Sequence, residues 1–125
     1  MAAARIWTAE EADAARPRVG ALVERAQAAA RVIQEAGPVV PTGHEGNGHT
    51  TASAERHELD AVLRELAEDG IVIKDLAQGL IDFPAQSPSG RAYWLCWMVD
   101  EPSVAWWHWP EDGFAGRTPL VQPPP

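Results

Sequence analysis

The sequence predicts an α+β fold in which an antiparallel helical hairpin packs on a small antiparallel β-sheet. Three observations predict it. Apolar residues recur at helical spacing in the first half of the chain, aromatic-rich segments typical of strands fill the second half, and a glycine- and proline-rich loop divides the helical part. A chain of 125 residues fits one hydrophobic core. We therefore expect a single domain over residues 1–121 and a disordered proline-rich tail over residues 122–125.

The first helix is predicted to begin near Ala9. Thr8 and Glu11 have the spacing of a capping box, in which each side chain accepts a hydrogen bond from the other residue's backbone amide. Pro17 is expected to kink this helix or to open a second helical segment, and Gly37 to end it. The apolar stripe that follows the proline consists of Val19, Leu22, Val23, Ala26, Ala30 and Ile33.

The second helix is predicted to follow a loop over residues 37–50, which hold four glycines and two prolines. Thr50, Thr51 and Ser53 are each candidate caps for its first turn, and Gly70 marks its end. Two amphipathic helices joined in this way are expected to pair antiparallel, with a further layer covering their stripes. The stripe on this second helix consists of Leu59, Val62, Leu63 and Leu66.

That further layer is predicted to be a β-sheet. Its last two strands are aromatic-rich and flank the turn sequence Asp100-Glu101-Pro102, so we expect a hairpin with Val99 opposite Val104. After Pro110, residues 111–120 are expected to form an ordered loop. The predicted strands are residues 71–73, 80–83, 92–99 and 103–109.

The expected register gives the hairpin two apolar, aromatic faces, whereas an antiparallel sheet usually leaves one face in water. The helices cover one face. The other is predicted to be a subunit interface, a partner surface or a ligand pocket, unless residues 84–91 and the C-terminal segment fold over it. Cys96 and His108 fall on opposite faces here, and a slip of one residue would reverse this. The candidates for stacking an organic ligand or cofactor are Trp94, Trp97, Trp106 and Trp107.

Asp82 is a carboxylate in an apolar strand, so it needs a buried partner. In one interpretation it forms a plain ion pair, and His108 is a half-buried histidine bonded to backbone. In the other, Asp82 and His108, together with Asp112, form a His-carboxylate centre for a divalent metal, and Arg117 stabilises an anionic substrate. The basic residues that would supply the plain ion pair are Lys74, Arg91 and Arg117.

The segment from Gly113 to Arg117 carries a third candidate site. Gly113 and Gly116 permit backbone conformations that point amides at an anion, and Arg117 would add a bidentate fork. The alternative is that Arg117 pairs with Asp82 or another acidic neighbour.

Charge and composition exclude several classes of protein. A net charge of −8 and a pI of about 4.8 argue against nucleic-acid binding, which needs surplus basic residues. The longest apolar run, residues 92–99, is too short to span a bilayer as a helix, and the N-terminal residues lack the apolar core of a secretory signal. One cysteine excludes an intramolecular disulfide. We therefore expect a cytoplasmic protein that does not contact membranes.

The chain resembles the family of bacterial and archaeal proteins grouped as DUF2203, a domain of unknown function. The resemblance covers nearly the whole chain and implies the α+β architecture, but the family has no activity to transfer. It draws attention to Asp82, Cys96, Trp107, His108, Gly113, Gly116 and Arg117 without assigning roles. The motifs that carry it are WTAEEADAARP (7–17), GNG (46–48), KDLAQGLIDFPA (74–85), YWLCW (93–97), DEPSVAWWH (100–108) and GFAGR (113–117).

Two functional hypotheses follow. The first is an interaction or ligand-binding module that self-associates into a homo-oligomer through the second aromatic face, or binds a small molecule there. The second is a small metal-dependent enzyme, hydrolase-like, in which Asp82 and His108 hold the ion and Arg117 contacts the substrate. The residues alone leave open whether the protein is an enzyme and which cofactor it uses.

Overall fold

A computed structural model describes residues 5–37 and 47–125. Two helices, α1 (Ala9–Ala36) and α2 (Asn47–Glu68), precede a five-stranded antiparallel sheet with the strand order β1-β2-β3-β4-β5. This architecture confirms the predicted α+β class. The strands are β1 (Val72–Asp75), β2 (Leu80–Gln86), β3 (Ala92–Met98), β4 (Trp106–His108) and β5 (Thr118–Pro119), with a 3₁₀ turn at Phe114–Gly116 before β5.

Helix α1 begins and ends where its caps predict. The Thr8 hydroxyl accepts from the Glu11 amide at 3.1 Å, and the Glu11 carboxylate accepts from the Thr8 amide at 3.0 Å. The helix ends before Gly37, which has φ 71°. Pro17 lies inside this single helix, so the predicted second segment is wrong. Pro17 has no backbone amide to donate to the helix. The fully buried residues Ala12 and Val19, before and after it, pack the helix against the core.

Helix α2 begins earlier than predicted. Residues 38–46 of the expected loop lie outside the described part of the chain, and residues 47–50 are helical. Thr50, Thr51 and Ser53 therefore do not cap the helix but lie inside it. The prediction failed because serine and threonine cost only a fraction of a kcal/mol inside a helix, so that a capping residue type is a weak marker of a boundary.

The two helices pair antiparallel, as predicted. Arg18 on α1 pairs with Asp69 just past the end of α2 at 2.9 Å, whereas Arg25 further along α1 pairs with Glu58 further back on α2 at 2.6 Å. Leu63 of the predicted stripe is 41% exposed and therefore lies outside the core.

The core lies between the helices and one face of the sheet. The indole of Trp7 meets the ring of Phe83 edge to face at 5.2 Å, and Trp97 lies under Gly20 of α1. The buried side chains of this layer are Val19, Leu22, Val23, Ala26, Val62, Leu66, Ile81, Phe83, Leu95 and Trp97.

Strand β2 runs beyond its predicted end at Phe83, through Pro84. The neighbouring strand β1 pairs with β2 only as far as Asp82, so the proline lies where no amide donor is needed on that side. A fifth strand forms within residues 111–120, for which the sequence predicts a loop. There Leu120 donates from its amide to the carbonyl of Ala105 at 2.8 Å and ties this segment to the sheet.

The register of β3 and β4 differs from the expected one by a single residue, because Trp94 pairs with His108 rather than with Trp109. The Val104 amide donates to the Asp13 carboxylate of α1 at 2.9 Å, so Val104 does not pair with Val99. The pairing of β3 with β4 begins only at Trp106, and a longer connection replaces the tight turn.

This register corrects the expected faces of the sheet. Cys96 and His108 lie on the same face, the one turned away from the helices, and not on opposite faces. Asp82 pairs directly with Cys96, so it belongs to that face as well. We call it the outer face.

The proline-rich segment over residues 122–125, expected to be disordered, makes contacts with the domain. The Trp107 indole donates to the carbonyl of Gln122 at 2.9 Å, and the Ser89 hydroxyl donates to the carbonyl of Pro125 at 2.8 Å. Neither helix of the described chain has both the length and the apolar character that a membrane crossing requires.

Candidate functional site

Three buried side chains with metal-ligating atoms meet on the outer face. Asp82 is 1% exposed, Cys96 1% and His108 3%. One ligand atom of each lies within 4.8 Å of the other two. They come from β2, β3 and β4, and the period of two along each strand turns all three to the same side. The centre of the sheet thus holds a carboxylate, a thiol and an imidazole where an apolar face was expected.

Both ring nitrogens of His108 lie within hydrogen-bond distance of an oxygen atom. Nδ1 lies 2.8 Å from the carbonyl oxygen of Trp109, which can only accept, so Nδ1 carries a proton. Nε2 lies 2.9 Å from Oδ2 of Asp82. A second proton therefore lies in this contact, and the pair is either imidazolium with carboxylate or imidazole with carboxylic acid. Asp82 thus has His108 as its partner.

The other carboxylate oxygen of Asp82, Oδ1, is buried and receives no hydrogen bond from the described residues. Leaving such an oxygen without a partner costs about 1–3 kcal/mol. Buried polar atoms of this kind are rare in folded proteins and call for a specific explanation, of which a site for an ion or a ligand is one.

Cys96 is not set up as a nucleophile. Burial, with the nearby Asp82 charge, raises the pKa of its thiol to about 12, against a smaller opposing effect of the Arg117 charge. The thiol is therefore protonated at neutral pH. His108 engages both ring nitrogens elsewhere and does not serve as its base. The sulfur remains a soft donor for a metal, which would bind in exchange for the thiol proton.

A cavity of about 380 Å³ opens onto the three buried groups. In the turn after β1, the Asp75 carboxylate accepts a hydrogen bond from the backbone amide of Gln78 at 3.1 Å. The Lys74 ammonium lies 5.7 Å from the centre of the Trp94 ring. The residues that line the cavity are Lys74, Asp75, Gln78, Leu80, Asp82, Cys96, His108 and Gly113.

Arg117 does not pair with Asp82. It donates to the Glu101 carboxylate at 2.7 Å, and its guanidinium lies 4.9 Å from the centre of the Trp106 ring. Arg91, another basic residue considered as a partner for Asp82, pairs with Glu111 instead. Neither arginine lines the cavity in the described part of the chain.

The remaining predicted site residues fall in different places. Asp112 is exposed and lies outside the group of three. Gly113 lines the cavity with φ 62°. Gly116 is a site of close approach, because a Cβ there would lie 2.5 Å from the Cβ of Asp112. Of the four tryptophans, Trp97 and Trp107 share the helix-facing side and are buried, whereas Trp94 and Trp106 are half-buried on the outer face.

Neither Cys96 nor Lys74 was predicted as a site residue. The expected register puts His108 on the face of Leu95, opposite Cys96, whereas His108 shares the face of Cys96. For Lys74 the sequence predicted only an ion pair with Asp82. The signal that would have found Cys96 is the pairing of β2 with β3, which sets it beside Asp82.

The family model described as "Uncharacterized conserved protein (DUF2203)" matches residues 5–120, nearly the whole chain. The chain belongs to the DUF2203 family. No curated protein and no solved structure matches it. The family description carries no activity, so the function of this DUF2203 member has to be argued from the cavity and its buried side chains.

Proposed function

We propose that this DUF2203 member is a metal-binding protein that holds a soft divalent ion, of which Zn²⁺ is the best fit, with Asp82, Cys96 and His108. The observation that carries the proposal is that three buried ligand atoms, one from each of these residues, lie within 4.8 Å of one another. In addition, Oδ1 of Asp82 has no hydrogen-bond partner among the described residues. Thiolate, imidazole and carboxylate are the usual zinc ligands, whereas Mg²⁺ and Ca²⁺ prefer oxygen ligands alone.

The surroundings of the three ligands support the same proposal. The Nδ1–H of His108 donates to the Trp109 carbonyl, the arrangement that orients most metal-ligating histidines and leaves Nε2 as the ligand atom. The Arg117 charge offsets part of the effect by which burial and the Asp82 charge raise the pKa of the Cys96 thiol. A reducing, cytoplasmic compartment suits the proposal, because the thiol must stay reduced to bind.

Zn²⁺ takes four ligands in most protein sites, so the three protein ligands would leave one position for water or a substrate, which is typical of catalytic rather than structural zinc sites. An ion with an open position supplies Lewis-acid chemistry. A small metal-dependent hydrolase therefore remains an alternative within this proposal. Arg117, engaged with Glu101, does not take the substrate role assigned to it from the sequence.

The test is a Co²⁺ titration of protein purified without added metal or tag, with elemental analysis of the same sample. We expect stoichiometric binding with the near-ultraviolet charge-transfer absorption of a cobalt–thiolate bond. Cys96→Ser should abolish that absorption. Asp82→Asn should weaken binding by about tenfold or more, whereas Asp112→Asn, the same change at an exposed carboxylate, should bind as the wild type does.

Circular dichroism would establish that each variant is folded. The proposal would be overturned if folded wild-type protein took up neither Co²⁺ nor Zn²⁺ at micromolar concentrations. It would also be overturned if Cys96→Ser bound cobalt with an unchanged spectrum and affinity.

A second candidate function is self-association through the outer face, because Trp94, Met98 and Trp106 are only half-buried there. Sedimentation velocity at micromolar concentration should then show a homodimer or larger species that Trp94→Ala shifts toward the monomer. A wild-type monomer under these conditions would contradict this candidate.

A further inference from the structure

We propose that the open side of the metal site accepts a small oxyanion, a carboxylate or a phosphate, and that the Lys74 ammonium is its second contact. This inference rests on the proposed metal site and names the class of ligand that the site takes.

Lys74 lies on the outer face because Val72, two residues before it on β1, pairs with Asp82. Ile73 pairs with Ile81 and Asp75 pairs with Leu80, so Lys74 has no partner on β2. This is a β-bulge, which turns Asp75 to the same face as Lys74, and β-bulges are over-represented next to active sites. The bulged residue and the Asp82–Cys96–His108 group line the same cavity.

Lys74 is the basic side chain among the described residues that line the cavity. It is the only lysine in a chain of net charge −8, and among the residues that the structure describes no carboxylate forms an ion pair with it. Its neighbour Asp75 lines the cavity with a negative charge, and its carboxylate accepts from the Gln78 backbone amide rather than from Lys74. A divalent ion with Cys96 and Asp82 as ionised ligands would carry no net charge, so that Lys74 supplies the positive charge at this cavity.

The size of the cavity limits the ligand. About 380 Å³ lies at the lower end of small-molecule sites, so the space admits a metabolite-sized anion and excludes a folded partner. One oxygen of the anion would take the open metal position. A second oxygen would accept from Lys74, a charge-assisted hydrogen bond that is about twice as strong as a neutral one.

The experiment titrates Co²⁺-loaded protein with acetate, with inorganic phosphate and with neutral imidazole, while the visible spectrum of the cobalt is recorded. We expect each ligand to change the spectrum saturably. Lys74→Gln should weaken acetate and phosphate by about tenfold and leave imidazole affinity unchanged. Arg64→Gln is the matched control, because it removes one positive charge from an exposed position on α2.

The outcomes separate the two proposals. If cobalt does not bind, both the metal site and the anion site are overturned. If cobalt binds and neither anion alters its spectrum, the anion site is overturned and the metal site stands. If Lys74→Gln and Arg64→Gln weaken the anions equally, or if Lys74→Gln weakens imidazole as much as acetate, the direct contact from Lys74 is overturned. Whichever of acetate and phosphate binds with the higher affinity identifies the class of oxyanion.

Discussion

The two faces of the sheet are made by the same strands and differ in chemistry from one residue to the next. On β2, Ile81 and Phe83 point into the helix-facing core, while Asp82 between them points to the outer face. On β3, Leu95 alternates with Cys96 in the same way. The helix-facing side is closed by α1 and α2, and the outer side opens into a cavity.

The helix-facing side stabilises the domain, whereas the outer face holds the candidate site. The apolar side chains of the helix-facing layer remove hydrocarbon surface from water, which is the main stabilising contribution in a domain of this size. The outer face instead buries a histidine, a carboxylate and a thiol, which contribute little stability and carry the desolvation cost of polar groups. A protein tolerates that cost where the groups serve a site.

The largest effect is expected from a pair of side-chain truncations to alanine, one on each face of the sheet. Phe83→Ala should lower the free energy of unfolding by about 3–5 kcal/mol, because it leaves a cavity in the core. Cys96→Ala, equally buried on the outer face, should cost about 1 kcal/mol because it removes only one atom of modest hydrophobicity. Urea denaturation measures both. Equal losses would remove the distinction between the faces.

Zinc should stabilise only those variants that keep the three ligands of the outer face. At a free Zn²⁺ concentration about 100-fold above its Kd, we expect the wild type to gain about 2.7 kcal/mol of stability. His108→Ala should gain almost nothing, whereas Phe83→Ala, with its outer face intact, should gain as much as the wild type. Thermal melts with and without chelator measure these gains. An equal gain for His108→Ala would place the metal elsewhere.

A smaller effect concerns the link between α1 and the segment before β4. The Val104 amide and the Arg16 side chain lower the pKa of Asp13. Because the folded state holds this carboxylate ionised, its stabilising contribution is present at neutral pH and is lost as the pH falls through the lowered pKa. Asp13→Asn should cost about 1 kcal/mol at pH 7.

That cost should shrink in acid, where the wild-type carboxylate also becomes neutral. Denaturation curves at several pH values measure the difference between the two proteins. A difference that grows toward low pH would contradict the contact. The cobalt affinity of Asp13→Asn should equal that of the wild type. A change in that affinity would show that the contact between Asp13 and Val104 influences the metal site.

The smallest expected effect is at Leu63. It is exposed, so Leu63→Ala should change stability by less than about 0.5 kcal/mol. Leu66→Ala, one turn away and buried, should cost about 2–5 kcal/mol. Because both changes replace leucine with alanine in one helix, differences in helix propensity largely cancel. A large loss at Leu63 would indicate a surface that self-association covers.

Local patterns predicted much of the fold. The capping box at Thr8 and Glu11 involves residues three positions apart, so the start of α1 depends on nothing distant. The apolar stripe of α1 and the aromatic strands β3 and β4 likewise follow from periodicity. The start of α2 was not predictable to the residue, since threonine and serine are tolerated on both sides of a helix boundary.

The candidate site was predicted in part. Asp82 and His108 were singled out because polar residues in apolar strands need partners, and they are partners of each other. Cys96 was missed because the expected register put His108 on the opposite face, and the register is a property of the pairing between two strands. Lys74 was not assigned because the cavity that it lines forms only when β1, β2, β3 and β4 come together.

By itself the sequence determined the α+β class and the ends of α1, because each follows from the spacing of nearby residues. It singled out Asp82 and His108, but only the tertiary structure decided that these two side chains and Cys96 meet on one face and that a lysine lines the same cavity. The physical reason is the period of two along a strand: a shift of one residue in the register between two strands moves every side chain of one of them to the opposite face.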